Sequence, residues 1–322
     1  MLTLLSDIEP ELNQVDQWLV NFFPEIDKNF QPFFINLLSG GKRLRPALVI
    51  LFHNLGAQSV EPRVYNLAGV TELVHVASLL HDDVMDAVFL RRGLKLADLE
   101  RHNKLSVIIA DMILSKALTE LTSLNDSGYL NIICRTSYVM SLGQLKETAH
   151  LEDMNLSEDD YFYIIEAKTA RLFASCCEIG AKSGGFDTKI CSLAREFGLN
   201  LGLAFQLQDD ILDYWGEEGK LGKPVGNDFH EKKLTLPLIW AFQRAKGKDF
   251  EKLVKIFSNK ENNADEFAWI LDLFLKLGIK DSIDQKAVEY SDKAIQLLEN
   301  FPENKNRLIL KKISDYIIKR EK

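Results

Sequence analysis

His81-Asp82-Asp83-Val84-Met85-Asp86 and Gln208-Asp209-Asp210-Ile211-Leu212-Asp213 both spell D-D-x-x-D, and both lie in stretches that read as helix. At about 100° per residue, positions i and i+4 share one helical face. Asp82 and Asp86 therefore point together, and so do Asp209 and Asp213. Two such clusters facing each other form a dense pocket of carboxylate oxygens. Six carboxylates in an apolar helical body repel one another and resist desolvation. A hard cation relieves this, and oxygen-only ligands select Mg²⁺ or Mn²⁺, with waters and substrate phosphates completing the shell. A single D-D-x-x-D most often marks a solvated acidic face. Here each copy follows apolar residues (Ala77 to Leu80; Phe205 and Leu207), which solvated faces rarely show.

Outward from these clusters, the pattern is helical throughout. Mixed three- and four-residue apolar spacings predict an amphipathic helix over 4–28, and Gln31 to Leu38 is a short apolar run. Further helices are predicted from Val64 to Leu90, Asn103 to Leu121, Asn131 to Leu151, Asp159 to Ser183 and Ile190 to Trp215. Amphipathic helix continues beyond Leu238. No stretch shows the sustained period-two alternation of a strand. A glycine- and charge-rich loop is expected from Gly216 to His230. With no Pro/Gly/Ser-rich linker and no repeat, 1–322 reads as one all-α domain.

Composition narrows the function. The chain has 322 residues, 46% hydrophobic and 27% charged, a soluble globular balance. A net charge of −8 argues against nucleic acid and against an anionic membrane surface as partners. Four cysteines without C-x-x-C spacing fit a reducing compartment. The first ten residues lack a basic leader and a cleavage site, and no apolar run reaches the ~18 residues of a spanning helix. A cytoplasmic protein without an integral membrane segment is expected.

Cationic residues surround the acidic clusters in sequence. Gly40-Gly41-Lys42-Arg43-Leu44-Arg45-Pro46 is a glycine turn with three cations feeding a new helix, an arrangement suited to anions. One stripe of the first acidic helix carries Thr71, His75, Ser78 and Asp82. Arg91 and Arg92 follow the first cluster by one to two turns, where guanidinium groups would grip diphosphate oxygens bidentately. Lys168 sits beside Thr169 amid small and apolar residues and needs a partner. Gln206 lies one turn before Asp210. No Ser-His-Asp, Cys-His, zinc or P-loop pattern occurs. The inventory suits departure of a diphosphate from carbon, with the leaving group stabilised by Mg²⁺ and cations inside a dry apolar cavity.

These blocks resemble the trans-polyprenyl diphosphate synthases. GGKRLRP at 40–46, HDDVMD at 81–86, LRRG at 90–93, Lys168-Thr169, FQLQDDILD at 205–213 and GKPVGND…KLTLP at 222–237 occur in the order that family has them. The resemblance implies an all-helical isoprenoid synthase fold with a central cavity, a homodimer and dependence on Mg²⁺. It implies head-to-tail condensation of an allylic diphosphate with isopentenyl diphosphate, by ionisation, condensation and proton elimination. Position by position, Asp82, Asp86 and Asp209 would hold the metal, with Asp83, Asp210 and Asp213 supporting. Lys168 and Lys223 would join these carboxylates in catalysis. Lys42, Arg45, His75 and Arg92 match isopentenyl diphosphate positions. Arg91, Lys168, Thr169, Gln206, Lys223 and Lys233 match positions around the allylic diphosphate, which would itself accept the departing proton. The chain departs from the usual pattern at Ala87, at Leu94-Lys95-Leu96, at Ala110 and at Lys232, where glycine usually precedes the active lysine. None of these removes a metal ligand.

Product length should depend on the residues beneath the first cluster. Ser78 lies four residues before Asp82, about 6 Å along the helix. It and Ala77 are small, where early-stopping members resemble one another in carrying an aromatic. A product of geranylgeranyl size or longer is expected. The rival readings are a shorter-chain (farnesyl or geranylgeranyl) diphosphate synthase, a terpene cyclase or head-to-head synthase on the same scaffold, and a non-catalytic regulatory subunit. The basic set at 42–45 and 91–92 argues against a cyclase, which has no second diphosphate to hold. The two intact acidic motifs argue against a non-catalytic subunit.

Overall fold

Pro10, Pro32 and Pro237 each stand in the first turn of a helix, where the absent N–H has no intrahelical bond to lose. Helices account for the regular structure throughout, and no strand occurs among the described residues. The structure is a computed structural model that describes residues 4–23, 25–28, 30–57, 61–85, 99–151, 153–216, 225–259 and 263–320, with the side chains of 99–102 excepted. The order is α1 (Glu9–Val20), α2 (Gln31–Leu38), α3 (Leu44–Gly56), α4 (Arg63–Met85), α5 (Leu99–Ser123) and α6 (Ser127–Ala149). Next come α7 (Glu158–Ile165), a π-helical turn (Glu166–Ala170), α8 (Arg171–Ser183) and α9 (Thr188–Trp215). α10 (Asn227–His230), α11 (Leu236–Arg244), α12 (Lys248–Ser258), α13 (Ala264–Lys276), α14 (Ile279–Leu297) and α15 (Lys305–Lys319) follow.

Three boundaries differ from the sequence expectation. The helix expected over 4–28 is α1 alone, preceded by a 3₁₀ turn at Ser6–Ile8. Phe22 and Phe23 are both buried just after it, where their rings pack edge-on at 5.1 Å. Phe23 also precedes a proline in sequence, which disfavours the α conformation there. The helix expected from Asp159 to Ser183 is interrupted by the π turn. Of the expected loop, Asn227–His230 is a helical turn and 217–224 lies outside the described residues.

The chain divides into two compact units. The first comprises Met1–Tyr138, Leu172–Gly198 and Leu298–Lys312. Within it, α4 packs against α1, α3 and α5. From Val64 to Ala77 α4 is buried nearly all round, as expected of a helix apolar on every face. Phe52 is a centre of this core, meeting Phe197 and Phe301 edge-on at 5.2 and 5.3 Å. The second unit comprises Val139–Arg171, Leu199–Leu297 and Ile313–Lys322. There α11 packs against α7, α13 and α14. Tyr214, fully buried, meets Phe274 edge-on at 5.2 Å and stacks on Phe267 at 6.2 Å. α13 starts with a capping box between Asn263 and Glu266.

Candidate active site

The basic turn lies in the first unit. Gly40 and Gly41 take φ of 86° and 80°, a region open to glycine, and Arg43 follows at 49°. Arg43 is 8% exposed and wholly engaged: its Nε meets Asp16 at 2.7 Å, its Nη1 meets Glu72 at 2.8 Å, and its Nη2 donates to the Leu38 carbonyl. Arg43 therefore anchors the turn to α1 and α4. Lys42 is exposed, and Arg45 is half-buried above the Phe173 ring, 5.0 Å from its centroid. Among the described residues, the Arg45 Nε meets no hydrogen-bond acceptor. Burial pulls the Arg45 guanidinium below its ordinary pKa, against the pull of the Glu72 carboxylate.

α4 carries the first acidic cluster in its last turn. His75, Ser78 and Asp82 are half-buried along the predicted stripe, whereas Thr71 is buried. Thr71 and Ser78 donate back to the carbonyls of Ala68 and His75, both at 2.8 Å, the usual use of a hydroxyl inside a helix. Asp83 is 6% exposed and Ala77 2% exposed. His81 Nε2 lies 3.3 Å from Asp111 on α5. Asp86, Arg91 and Arg92 lie outside the described residues, as does Lys223.

The second cluster ends α9 in the second unit, and its three aspartates differ sharply. Asp209 is half-exposed and pairs with Arg320 at 3.2 Å. Asp210 is 3% exposed; it accepts from Tyr161 Oη at 2.5 Å and from Gln206 Nε2 at 2.9 Å. Burial, then the neighbouring Asp228 charge, pushes the Asp210 carboxyl up to about 8. Asp213 is 1% exposed and accepts from the Asp228 backbone N–H at 3.0 Å. Thr169 Oγ1 donates to Gln206 Oε1 at 2.8 Å, so one chain of hydrogen bonds runs from the π turn through Gln206 to Asp210 and Tyr161.

Lys168, beside Thr169, forms an ion pair with Glu147 on α6. Lys233 meets the other Glu147 oxygen at 3.0 Å. Burial raises the Glu147 pKa, but Lys233 and Lys168 more than offset it, and the carboxylate sits below its ordinary range. Lys232 precedes with φ of 58°, the left-handed region where the related pattern has glycine. The π turn itself fits its place, since such turns gather at functional sites.

The structure thus brings Thr169 against Gln206, and Lys168 and Lys233 onto one carboxylate. The sequence reading missed four residues around these groups and the second acidic cluster. Glu147 fell inside the helix expected from Asn131 to Leu151 with no local sign of a partner, Tyr161 and Arg320 carried no local signal, and Asp228 fell in the expected loop. Among the described residues, no three acidic, histidine or cysteine side chains converge tightly enough to hold a metal by themselves. The donor chemistry still fits a hard cation at the end of α9: oxygen-only groups, and an Asp210–Asp228 repulsion that positive charge would relieve.

The sequence profile of the Polyprenyl synthetase family matches residues 27–274. Solanesyl-diphosphate synthase 2, chloroplastic, of Oryza sativa subsp. japonica is 33% identical over 287 residues, 88% of this chain and 70% of that protein. Heptaprenyl diphosphate synthase component 2 of Bacillus subtilis is 32% identical over 285 residues, 88% of this chain and 80% of that one. The crystal structure of a polyprenyl synthase from Caulobacter crescentus, complexed with calcium and isoprenyl diphosphate, superposes with a TM-score of 0.91. That pair is 35% identical, covering 99% of this chain and 97% of the other.

Proposed function

This chain belongs to the polyprenyl synthetase family, and from that premise we propose that it is a trans-prenyltransferase that condenses an allylic diphosphate head-to-tail with isopentenyl diphosphate. The observation that carries the reading is the tie between cations and carboxylates in the second unit. Lys168 and Lys233 share Glu147, and Thr169 links the same π turn through Gln206 to the acidic end of α9.

In this reading Lys168, Lys233 and Lys223 hold the allylic diphosphate, with Thr169, Gln206 and Arg91 beside them. Asp82, Asp86 and Asp209 would hold Mg²⁺ or Mn²⁺, supported by Asp83, Asp210 and Asp213. The bound metal would stabilise the charge developing on the departing diphosphate. The half-exposed Asp209 is the ligand-ready member of its cluster. Buried Asp210, held by Tyr161 and Gln206, fixes the helix end on which Asp209 stands. Lys42, Arg45, His75 and Arg92 would hold isopentenyl diphosphate. Arg45 suits that task, because its partly desolvated guanidinium keeps an unused N–H. The lysine ammoniums keep the released diphosphate in place, and that diphosphate takes the proton lost after condensation.

A long product follows from Ala77 and Ser78, and the relatives named for heptaprenyl and solanesyl products support it. We read 1–322 as one functional domain, active as a homodimer in the cytoplasm. The family match runs through residues of both units, and no described helix is long and apolar enough to cross a membrane. The test is a Mg²⁺-dependent assay of the purified single chain with labelled isopentenyl diphosphate and farnesyl diphosphate. A ladder of products extending past geranylgeranyl is expected. The absence of incorporation with any allylic starter would sink the reading. Activity only after adding a second protein would make the chain one component, as the Bacillus relative is named.

A further inference from the structure

We infer that Glu147 is a positioning residue that holds the Lys168 and Lys233 ammoniums at one place for the departing diphosphate. The inference rests on the proposed role of those two lysines. Its geometry is independent of that role. Gly143 lets α6 approach the π turn so closely that an added Cβ would stand 2.7 Å from the Ala167 Cβ. One turn further along the same face, four residues on, the helix presents Glu147. Its carboxylate meets Lys168 with one oxygen and Lys233 with the other, at 3.0 Å for the second. The side chain is 13% exposed, and those of Lys168 and Lys233 are 18% and 31% exposed.

Two ammoniums delivered by separate segments to one partly dry place repel each other. Each would lean away from the other, and one carboxylate between them removes that tendency. The three groups together keep one net positive charge, which remains available to an anion. The backbone supports the same end. Lys233 N–H bonds the Asp228 carbonyl at 2.9 Å, and Lys232 before it is pinned by its Nζ at 3.3 Å from the Ile256 carbonyl. Lys168 is aimed by the π turn. Both lysine side chains thus converge on Glu147, which touches neither carbon nor proton in the reaction.

The test uses the 322-residue chain with Mg²⁺ and follows the single-turnover rate of the first condensation together with the KM for the allylic diphosphate. For Glu147→Gln the rate at neutral pH is expected to fall about 10- to 100-fold, the usual effect of a misplaced catalytic group. The KM for the allylic diphosphate should change far less, because a positive charge is gained while alignment is lost. Glu147→Asp should restore part of the rate, and it carries the test alone if the glutamine variant fails to fold. A wild-type rate in Glu147→Gln would overturn the inference, as would a Glu147→Asp rate identical to that of Glu147→Gln. Lys168→Met and Lys233→Met are measured alongside. If they bind and turn over the allylic diphosphate normally, the lysine roles themselves fail. If they are impaired while Glu147→Gln is not, only the role of Glu147 fails.

Discussion

Replacing Gly143 by alanine isolates how closely α6 and the π turn must approach. The new Cβ would lie 2.7 Å from Ala167 Cβ, 3.1 Å from Lys168 Cγ and 3.3 Å from the Lys168 backbone nitrogen. Carbon atoms rest at about 3.5–4.0 Å, so the π turn must retreat by about 1 Å. Ala167 is 2% exposed and has no rotamer to change, which leaves only backbone movement. Overpacking of this kind costs about 1–3 kcal/mol. An alanine in a helix interior returns about 1 kcal/mol relative to glycine. The expected balance is a loss of about 1 kcal/mol, seen as a Tm lower by about 2 °C in a chain of this size. Activity is the more sensitive readout, because the same retreat carries Lys168 with it, and a 1 Å misplacement can cost about 10²-fold. Scanning calorimetry and single-turnover assays on the same preparation measure both. A variant with a raised Tm and an unchanged rate would refute the argument, since alanine would then have gained its helix propensity without meeting the π turn.

Ser78→Phe should shorten the product, and half-buried Ser78 is a cleaner site than Ala77, where a phenylalanine must also be forced into packed core; chromatography of the products that shows unchanged length in both variants would refute the tunnel placement. Arg320→Ala should lower the Mg²⁺ concentration for half-maximal activity, because Asp209 loses the cation that competes for it at 3.2 Å; a higher requirement in a metal titration would show instead that Arg320 orients Asp209. Glu147, whose pKa is depressed in the fold, stabilises the protein above the ordinary glutamate value and loses that contribution as pH falls through its folded pKa. Denaturant melts between about pH 6 and 3 should therefore show a shallower acid-side loss for Glu147→Gln than for the wild type, and equal slopes would count against the ion triad.

What was legible in the sequence was legible for local reasons. The two D-D-x-x-D clusters need only helical spacing to be seen, and α4 and α9 do end on them. Lys168 stood out because a lysine among alanines and phenylalanines needs a partner. The partner was not legible: Glu147 lies 21 residues earlier, and no local rule couples those positions. Arg320 is further still, 111 residues from Asp209, and ends a helix whose pattern reads as ordinary amphipathic surface. Tyr161 looks like any aromatic core residue until its hydroxyl is found 2.5 Å from Asp210. The π turn had no signal either. Glu166-Ala167-Lys168-Thr169-Ala170 is good α-helical sequence, and the widened turn arises from tertiary contact, with Gly143 opposite Ala167.

Lys232 is the case in which a departure from pattern and a backbone angle explain each other. Its φ of 58° lies in the region where an L-residue with a Cβ is strained by about 1–2 kcal/mol and glycine is not. The pattern that this chain resembles has glycine there, the residue that meets such a φ without strain. The lysine has its own compensation. Lys232 is 7% exposed, its stem runs between Phe229 and Phe257 with the ammonium 5.7 and 5.4 Å from the two ring centroids, and Nζ bonds the Ile256 carbonyl at 3.3 Å. Contacts of this kind each contribute about 0.5–1 kcal/mol, enough to offset the strain. They also fasten the backbone immediately before Lys233 to α12, which glycine could not do. The turn before Lys233 is thus held by the Lys232 side chain, where a glycine would rely on conformational freedom alone.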